Sequence, residues 1–313
     1  MTLAVGGMLI WWIDAEALWQ AVHRAQWTWA VLALALVPLN VGLDAWVWRI
    51  LLRPILGAVS LRAVTSAVLA GCAAGFFTPA RVGEYAGRSF ALEADGWTLT
   101  VSVLVQRMAD MAVGILGGAG AVGLLMAFDV LPTGLPWRMA WIGGALVGLG
   151  LMALLLGPAA ADAWGRRWLP TATRLHERTA FLRRLTRSDV RWVLGGSLVR
   201  YAVYIGQFAM LSRAFAPATS LLTLGLLGSA LFFIKFLAPS LTLMDLGIRE
   251  GTAAVLFPLV GLPAAAGLHA ALLLFVLNVA LPSALGAPAA WNLLSTPSVP
   301  ASPPSSASKV ASP

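Results

Sequence analysis

Residues 98–128 read TLTVSVLVQRMADMAVGILGGAGAVGLLMAF, a run in which only Arg107 and Asp110 are charged. A helix needs about 20 residues to cross a bilayer, and this run is longer. The whole chain has the same character, since 59% of its residues are hydrophobic and 11% are charged, whereas soluble domains carry about a quarter charged residues. There are too few polar side chains to cover a water-soluble domain. The sequence therefore predicts an all-α fold, a polytopic bundle of transmembrane helices.

Further apolar runs lie on both sides of this segment. They cover residues 1–13, 28–48, 61–77, 138–157, 192–213, 220–237, 248–260 and 263–287. At about 1.5 Å per residue, the first run is short for a span, and we interpret it as a first helix whose start is clipped. We predict one transmembrane domain over residues 1–292. The Pro/Ser-rich residues 293–313 cannot bury a core, so we predict a disordered tail.

Positive charge indicates how the chain is oriented. The net charge is +8, and residues 158–191 hold eight arginines against three acidic residues. No known nucleic-acid motif accompanies this charge, so we expect no nucleic-acid partner. Cytoplasmic loops of membrane proteins are rich in Arg and Lys, which predicts a bacterial inner-membrane protein with this loop and the C-terminus in the cytoplasm. Within the loop, residues 166–187 fit either an interfacial helix on anionic headgroups or a solvated loop.

Two stretches combine a proline with a glycine, an arginine and a glutamate. The first is GFFTPARVGE at residues 75–84, and the second comprises KFLAPS at 235–240 and DLGIRE at 245–250. Proline ends a helix and glycine permits a turn, while the freed backbone groups cannot face lipid. Such breaks are therefore expected inside the protein or along a wet cavity. The predicted helix-breaking residues are Pro79, Gly83, Pro239 and Gly247.

The two breaks occupy corresponding places in the two halves of the chain. Paired breaks of this kind are typical of transporters built from inverted repeats around a central binding site. With the orientation above, one break enters the membrane from each face. The alternative is that both are interfacial loops whose charges lie in water. Charge alone does not separate a re-entrant segment from two complete crossings at either break.

Ionisable side chains inside predicted spans are costly to bury and therefore mark candidate sites. Arg107 and Asp110 lie three residues apart on one helix face and can pair with each other. Two interpretations remain open. The pair can satisfy itself near the cytoplasmic interface, or Arg107 can face Glu84 or a lipid phosphate, which suits the planar guanidinium group.

A polar stripe marks the apolar run at residues 192–213. Tyr204 and Gln207 lie near the same helix face as Arg200, and the opposite faces are apolar. We therefore predict that Arg200 faces the interior of the bundle. The predicted substrate-binding residues of the whole chain are Arg81, Glu84, Arg107, Asp110, Arg200, Arg249 and Glu250.

Motifs of soluble enzymes are absent from the sequence. No P-loop, GxSxG or HExxH motif occurs, and the three histidines lack the spacing of metal ligands. The single cysteine, Cys72, cannot form an internal disulfide. We predict no catalytic residue, no metal, no cofactor and no enzymatic activity, with a membrane-embedded lipid transferase as the less favoured alternative.

Three motifs in order resemble those of a known family. They are Pro79-Ala80-Arg81-Val82-Gly83-Glu84, Gln106-Arg107-Met108-Ala109-Asp110, and Pro239-Ser240 followed by Gly247-Ile248-Arg249-Glu250. This pattern resembles the flippase-like transmembrane region of bacterial lysyl-phosphatidylglycerol synthases, which also occurs as stand-alone proteins. Ala80 stands where the family usually has Gly, and Gln106 stands where it usually has Glu. Only the short tail follows the last apolar run, so lysine transfer to lipid is not implied.

The resemblance implies a lipid translocase or a lipid-binding membrane module. Its substrate would be an anionic or aminoacylated phospholipid or a related lipid carrier, and an enzyme of lipid modification would be its partner. We expect the site arginines to hold an anionic headgroup and the site carboxylates to balance charge or bind a cationic group. The alternative is a non-transporting scaffold or partner subunit of an envelope-lipid pathway.

Overall fold

The computed structural model describes residues 20–79, 81–92, 94–157, 163, 167, 173–238 and 247–295. This part of the chain is helical and contains no strand, which confirms the all-α prediction. The α-helices are α1 Trp27–Ala35, α2 Val37–Leu56, α3 Leu61–Phe76, α4 Gly83–Phe90, α5 Gly96–Ala127, α6 Leu135–Leu156, α7 Thr173–Thr179, α8 Arg187–Phe215, α9 Leu221–Leu237, α10 Ile248–Leu259, α11 Ala264–Phe275 and α12 Leu281–Ser295. A 3₁₀ turn, Ala180–Arg184, precedes α8, and a π-helical turn, Val276–Ala280, joins α11 to α12.

Four helical segments among these residues are long and apolar enough to cross a membrane. They are Trp27–Leu56, Gly96–Ala127, Leu135–Leu156 and Ala264–Trp291. The helix α8 is of similar length but more polar, and it begins earlier than the predicted residue 192. The reason is a capping box, in which Thr186 and Asp189 each accept a hydrogen bond from the other's backbone N–H.

Some sequence predictions concern residues that the structure does not describe. The predicted helix at 1–13, Pro239 and most of the predicted tail lie outside the described residues, although α12 continues to Ser295. In the Arg-rich loop, residues 173–184 are helical, as the interfacial-helix alternative requires.

The first break is a helical hairpin. The helix α4 has 8 residues, about 12 Å of rise, which is far less than the roughly 30 Å of a membrane core. It folds back along α3, and glycines bring the two helices together: a side chain at Gly87 would meet the Cβ of Ala74 at 2.8 Å. The structure therefore favours a re-entrant segment over two complete crossings here. The helix α10, with 12 residues, is also too short to cross alone.

The helices of the two halves repeat in the same order. Helices α2, α3, α4 and α5 of the first half correspond to α8, α9, α10 and the α11–α12 unit of the second. Each of α3 and α9 starts at a serine cap, Ser60 or Ser220. The helix α3 of the first half packs on α12 of the second, and α9 of the second half packs on α5 of the first. Each half therefore makes the same kind of contact with the other.

The repeat is inverted, because α1–α2 runs antiparallel to α8. At one end the backbone N–H of Gln26 donates to Ala214 O at 2.9 Å, and at the other end Arg53 pairs with Asp189 at 3.9 Å. Two equivalent helices in opposite directions are what an inverted-topology repeat requires. The structure therefore agrees with the inverted repeat that the paired breaks suggested.

We predict that Gly286→Ala destabilises the protein. A methyl group at this position of α12 would collide with the carbonyl oxygen of Leu69 in α3. Backbone atoms give way less readily than side-chain ends, so we expect a loss of about 1–3 kcal/mol, measured by thermal unfolding in detergent. The matched control is Gly150→Ala on α6, where the added methyl group meets no atom within 4 Å. Equal unfolding temperatures for the two variants would contradict the close packing of α3 on α12.

Candidate functional site

Seven charged side chains meet between α2, α4, α5 and α8 and the segment that precedes α4. We call this group the charge cluster. Its members are Asp44, Arg81, Glu84, Arg88, Arg107, Asp110 and Arg200. Charges inside a membrane bundle are retained only when they are paired or line a polar cavity. The cluster meets both conditions.

Arg88 is the buried centre of the cluster. Its side chain is fully buried, and its Nη2 donates to Asp44 Oδ2 at 2.9 Å and to Glu84 Oε1 at 2.6 Å. Its Nη1 donates to Gln106 Oε1 at 3.2 Å, and its guanidinium carbon lies 5.3 Å from the ring centre of Trp48. This arginine therefore binds α4 to α2 and α5 through charge-assisted hydrogen bonds.

Arg107 has both of the partners that the sequence offered. It pairs with Asp110 at 3.3 Å on its own helix and forms a close ion pair with Glu84 of α4. It also approaches Asp44 at 3.9 Å. The two interpretations of Arg107 are thus not exclusive, because one planar group reaches carboxylates on three helices.

Arg200 lies in the interior, as predicted. Its Nη1 donates to Asp110 at 2.5 Å, its Nη2 to Asp44 at 3.2 Å and its Nε to Asn40 Oδ1 at 3.2 Å. Of its two polar neighbours, Tyr204 lines the cavity described below, whereas Gln207 is buried away from it and donates to a backbone carbonyl of α1.

Arg81 is held differently from the other arginines. Its backbone has φ 56°, in the left-handed region that non-glycine residues rarely adopt. Its Nη2 lies 3.4 Å from Glu84, and its buried Nε, like that of Arg88, has no hydrogen-bond partner among the described atoms. The side chain is 23% exposed. Strained backbone geometry persists where surrounding structure enforces it, and such residues concentrate at functional sites.

A cavity of about 430 Å³ opens beside the cluster. Six members of the cluster line it, all except Arg88, together with Asn40, Ser197, Tyr201 and Tyr204. The second half of the chain closes it with Lys235, Phe236, Ala238, Asn278 and Pro282. Because both halves contribute to the wall, the cavity lies at the interface of the inverted repeats, where such proteins bind substrates.

The cluster lies deep in the bundle. Asp44 precedes the end of α2 by 12 residues, and Arg107 and Arg200 follow the starts of α5 and α8 by 11 and 13 residues. At 1.5 Å per residue these positions are about 17–20 Å from the helix ends. If the helix ends mark the membrane surface, a core of roughly 30 Å places the cluster near the middle of the bilayer.

The structure brings five of the seven predicted substrate-binding residues together and leaves two apart. Arg249 and Glu250 pair with each other at 2.5 Å, and each is 2% exposed. Arg249 also lies 5.6 Å from the ring centre of Phe275, and Glu250 accepts a hydrogen bond from the N–H of Gly247, which has φ 112°. Neither side chain lines the cavity, so Glu250 does not join Glu84 in it.

The break residues of the first half position the cluster. Pro79 lies between α3 and α4, and the N–H of Gly83 donates to Thr78 Oγ1 at 2.8 Å. Gly83 also lies against the backbone of Ala74. This close turn directs Arg81 and Glu84 toward α5. The predicted break therefore produces the geometry of the site.

Sequence reasoning did not assign Asp44, Arg88, Gln106 or Asn278 to the site. Asp44 stands in an apolar run four residues after Asn40, a spacing that places both on one helix face. Arg88 stands four residues after Glu84, where the two can pair. These i,i+4 polar pairs were the available signal. No comparable signal in the sequence marks Asn278. Its Oδ1 accepts a hydrogen bond from Asn40 Nδ2 at 2.5 Å, and this contact depends on tertiary packing.

Comparison with known proteins gives one match. A family model described as the lysylphosphatidylglycerol synthase TM region matches residues 1–286. The match includes both breaks and every residue that lines the cavity. No curated protein and no solved structure matches the chain.

We predict that Arg88→Met strongly destabilises the fold, whereas Arg81→Gln does not. Removing Arg88 leaves Asp44 and Glu84 buried with less compensation, which costs roughly 3–5 kcal/mol. Arg81 has one longer ion pair and a partly exposed side chain, so its loss costs much less. Denaturant unfolding in detergent measures both. If Arg88→Met unfolds at the same denaturant concentration as Arg81→Gln, Arg88 is not the structural centre of the cluster.

Proposed function

This chain belongs to the family of the lysylphosphatidylglycerol synthase TM region, it is an integral membrane protein, and from that premise we propose that it is a lipid translocase. In this proposal the headgroup of an anionic or aminoacylated phospholipid, or of a related lipid carrier, crosses the membrane through the central cavity. The acyl chains remain in the surrounding bilayer. No covalent step is involved. The observation that carries the proposal is a charged cavity deep in the helix bundle, lined by both halves of the chain.

Charge supports an anionic headgroup. Among the described residues, the cluster contains four arginines and three carboxylates, which leaves one excess positive charge. Lys235 also lines the cavity wall. A phosphate would supply the missing negative charge, and the attraction is strong where water is largely displaced.

Arg81 is the residue best placed to bind that phosphate. It lines the cavity, it has an exposed portion, and its Nε is not used by a described protein atom. The planar guanidinium group matches phosphate oxygens in pairs. Arg107 and Arg200 line the same cavity. For an aminoacylated lipid, Asp110 and Glu84 offer carboxylates to the ammonium group.

The inverted repeat supports transport over simple binding. In repeat-built transporters the two halves move against each other around a site that stays near the midplane. Here the first half supplies most of the cavity's charge, and the second supplies Lys235, Phe236 and Asn278. A scaffold would not require a solvent-accessible charged cavity at this depth, where unpaired charge is costly.

The test is lipid translocation in liposomes that contain the full chain. A quencher outside the liposomes removes the fluorescence of each labelled phosphatidylglycerol that reaches the outer leaflet, and the rate of this fluorescence loss is measured. We expect wild type to accelerate translocation and Arg81→Gln to be roughly tenfold slower or more, because one charge-assisted hydrogen bond is worth about 1.5–3 kcal/mol. Arg81→Lys, which keeps the charge without the planar fork, should be intermediate.

The matched control is Arg138→Gln, which removes an exposed arginine near the start of α6, outside the cavity. It should translocate lipid like wild type. If wild type does not exceed protein-free liposomes, transport fails and the scaffold alternative stands. If Arg81→Gln equals wild type while lipid still moves, the headgroup is not held at this arginine.

The orientation in the membrane is part of the proposal. Exposed arginines gather at the end of the bundle where α2 ends and α8 begins: Arg53, Arg183, Arg184, Arg187 and Arg191. The positive-inside rule places this end in the cytoplasm of a bacterial inner membrane, together with the C-terminus.

Single-cysteine labelling in a Cys72→Ser background tests this orientation. Ser188→Cys lies at the proposed cytoplasmic end, and Thr133→Cys lies in the loop between α5 and α6 at the opposite end; both positions are exposed. In intact spheroplasts an impermeant maleimide should label Thr133→Cys only, and after lysis it should label both. The reverse pattern in intact spheroplasts would invert the orientation.

A further inference from the structure

A second pocket lies apart from the central cavity. Its volume is about 130 Å³, and it is formed by α2, α5, α6, the 3₁₀ turn and the start of α8. Its ten lining residues are all apolar, and they include Leu51, Met108, Leu155, Leu182, Leu185 and Leu194. None of them lines the central cavity. Apolar cavities of this size exclude water and accept apolar ligands.

Arginines alternate along the sequence with the residues that line the pocket, and one of them contacts a neighbouring helix. Arg183 and Arg184 stand between the lining residues Leu182 and Leu185, and Arg184 Nη1 lies 3.4 Å from the carbonyl oxygen of Pro54 in α2. Arg187 stands between Leu185 and the further lining residues of α8. The chain therefore alternates between side chains that enter the pocket and cations outside it.

This end of the bundle is rich in arginine. Asp189 is the single acidic residue from Ala180 to Leu194, a segment with four arginines, and it is engaged by Arg53 at 3.9 Å. Trp192 is 58% exposed on the same segment. Indole rings concentrate where a membrane meets water. The part of the pocket wall that Leu182 and Leu185 form therefore lies at the Arg-rich end of the bundle, where we expect lipid headgroups.

We propose that this pocket holds one acyl chain of a resident anionic phospholipid whose phosphate is bound by Arg184 and Arg187. Basic pockets between transmembrane helices at the cytoplasmic face recognise anionic headgroups. The apolar lining selects a lipid rather than free phosphate, and the cations select an anionic headgroup over a zwitterionic one. The charge and the apolar lining thus point to the same occupant.

The bound lipid would act as a structural element, because its chain would contact α5, α6 and α8 together. The site is independent of transport, since it shares no residue with the central cavity. A lipid in this pocket stays with the protein, whereas a lipid in the central cavity exchanges between leaflets.

Native mass spectrometry of the full chain in detergent tests this proposal. The protein is titrated with phosphatidylglycerol or with phosphatidylcholine of the same acyl chains, and bound lipids are counted. We expect one phosphatidylglycerol to be retained preferentially. Arg184→Gln with Arg187→Gln should weaken it roughly ten- to thirtyfold, because each surface arginine contributes about 1 kcal/mol toward an anionic lipid.

Matched controls separate the pocket from general lipid binding. Arg62→Gln with Arg138→Gln removes the same charge from exposed positions outside the pocket lining, and it should retain the lipid. Leu194→Phe reduces the pocket volume and should weaken binding, whereas Leu146→Phe, at a position 64% exposed on α6, should not. A melting curve in detergent establishes that each variant is folded.

Three outcomes would overturn the proposal. They are equal retention of the two lipids, equal binding by the arginine double variant and its control, and undiminished binding by folded Leu194→Phe. Arg81→Gln provides the link to transport: it should keep the resident lipid while translocation slows. A loss of the resident lipid in Arg81→Gln would mean that the preferred lipid occupies the central cavity instead.

Discussion

A guanidinium group is always charged in a protein, so its burial inside a membrane bundle is very costly unless carboxylates and other acceptors surround it. Arg88 meets that requirement with Asp44 of α2, Glu84 of α4 and Gln106 of α5. These contacts require α4 to pack closely against its neighbours. Glycines in α3 and α4 allow this close approach, since a Cβ at Gly71 would meet the Arg88 side chain at 2.5 Å. The re-entrant hairpin is therefore the geometry that the buried charge requires.

The contacts of Gln106 with Asp44 and Arg88 also bear on the net charge of the charge cluster. Gln106 donates to Asp44 Oδ1 at 2.7 Å and accepts from Arg88, so it satisfies both neighbours without adding charge. The family pattern that this sequence resembles has Glu at that position, which would bring a fourth carboxylate to four arginines. With Gln106 the cluster keeps one excess positive charge, which is the charge that the proposed binding of an anionic headgroup uses. A neutral side chain at this buried position therefore affects the net charge beside the cavity.

Hydrophobic runs predicted the long helices, because inside a membrane the backbone must satisfy its own hydrogen bonds. They did not predict the short helix α4, Gly83–Phe90. The breaks at Pro79 and Gly83 were predicted for the same reason. Asp110 and Glu84 were alternative partners of Arg107, and the polar stripe predicted that Arg200 faces the interior. Arg88 was not assigned to the site, since charge near a span normally lies in water. Its burial depends on Asp44, which is 44 residues away in sequence. The sequence also did not show that Arg249 and Glu250 lie apart from the cavity. The two break motifs are similar, and neither indicates which neighbouring residues it contacts.

Binding and structure place opposite demands on the charges of one cluster. A charge that is fully buried and held by several ion pairs inside the protein is out of reach of a ligand, and Arg88 is such a group, buried away from the cavity. Arg81 has a strained backbone, one ion pair at 3.4 Å and a buried Nε without a described partner. A headgroup phosphate can therefore improve the environment of Arg81 without dismantling the contacts that hold α4 in place. A translocase needs this division, because its site must release the headgroup as readily as it binds it, while the fold around it persists.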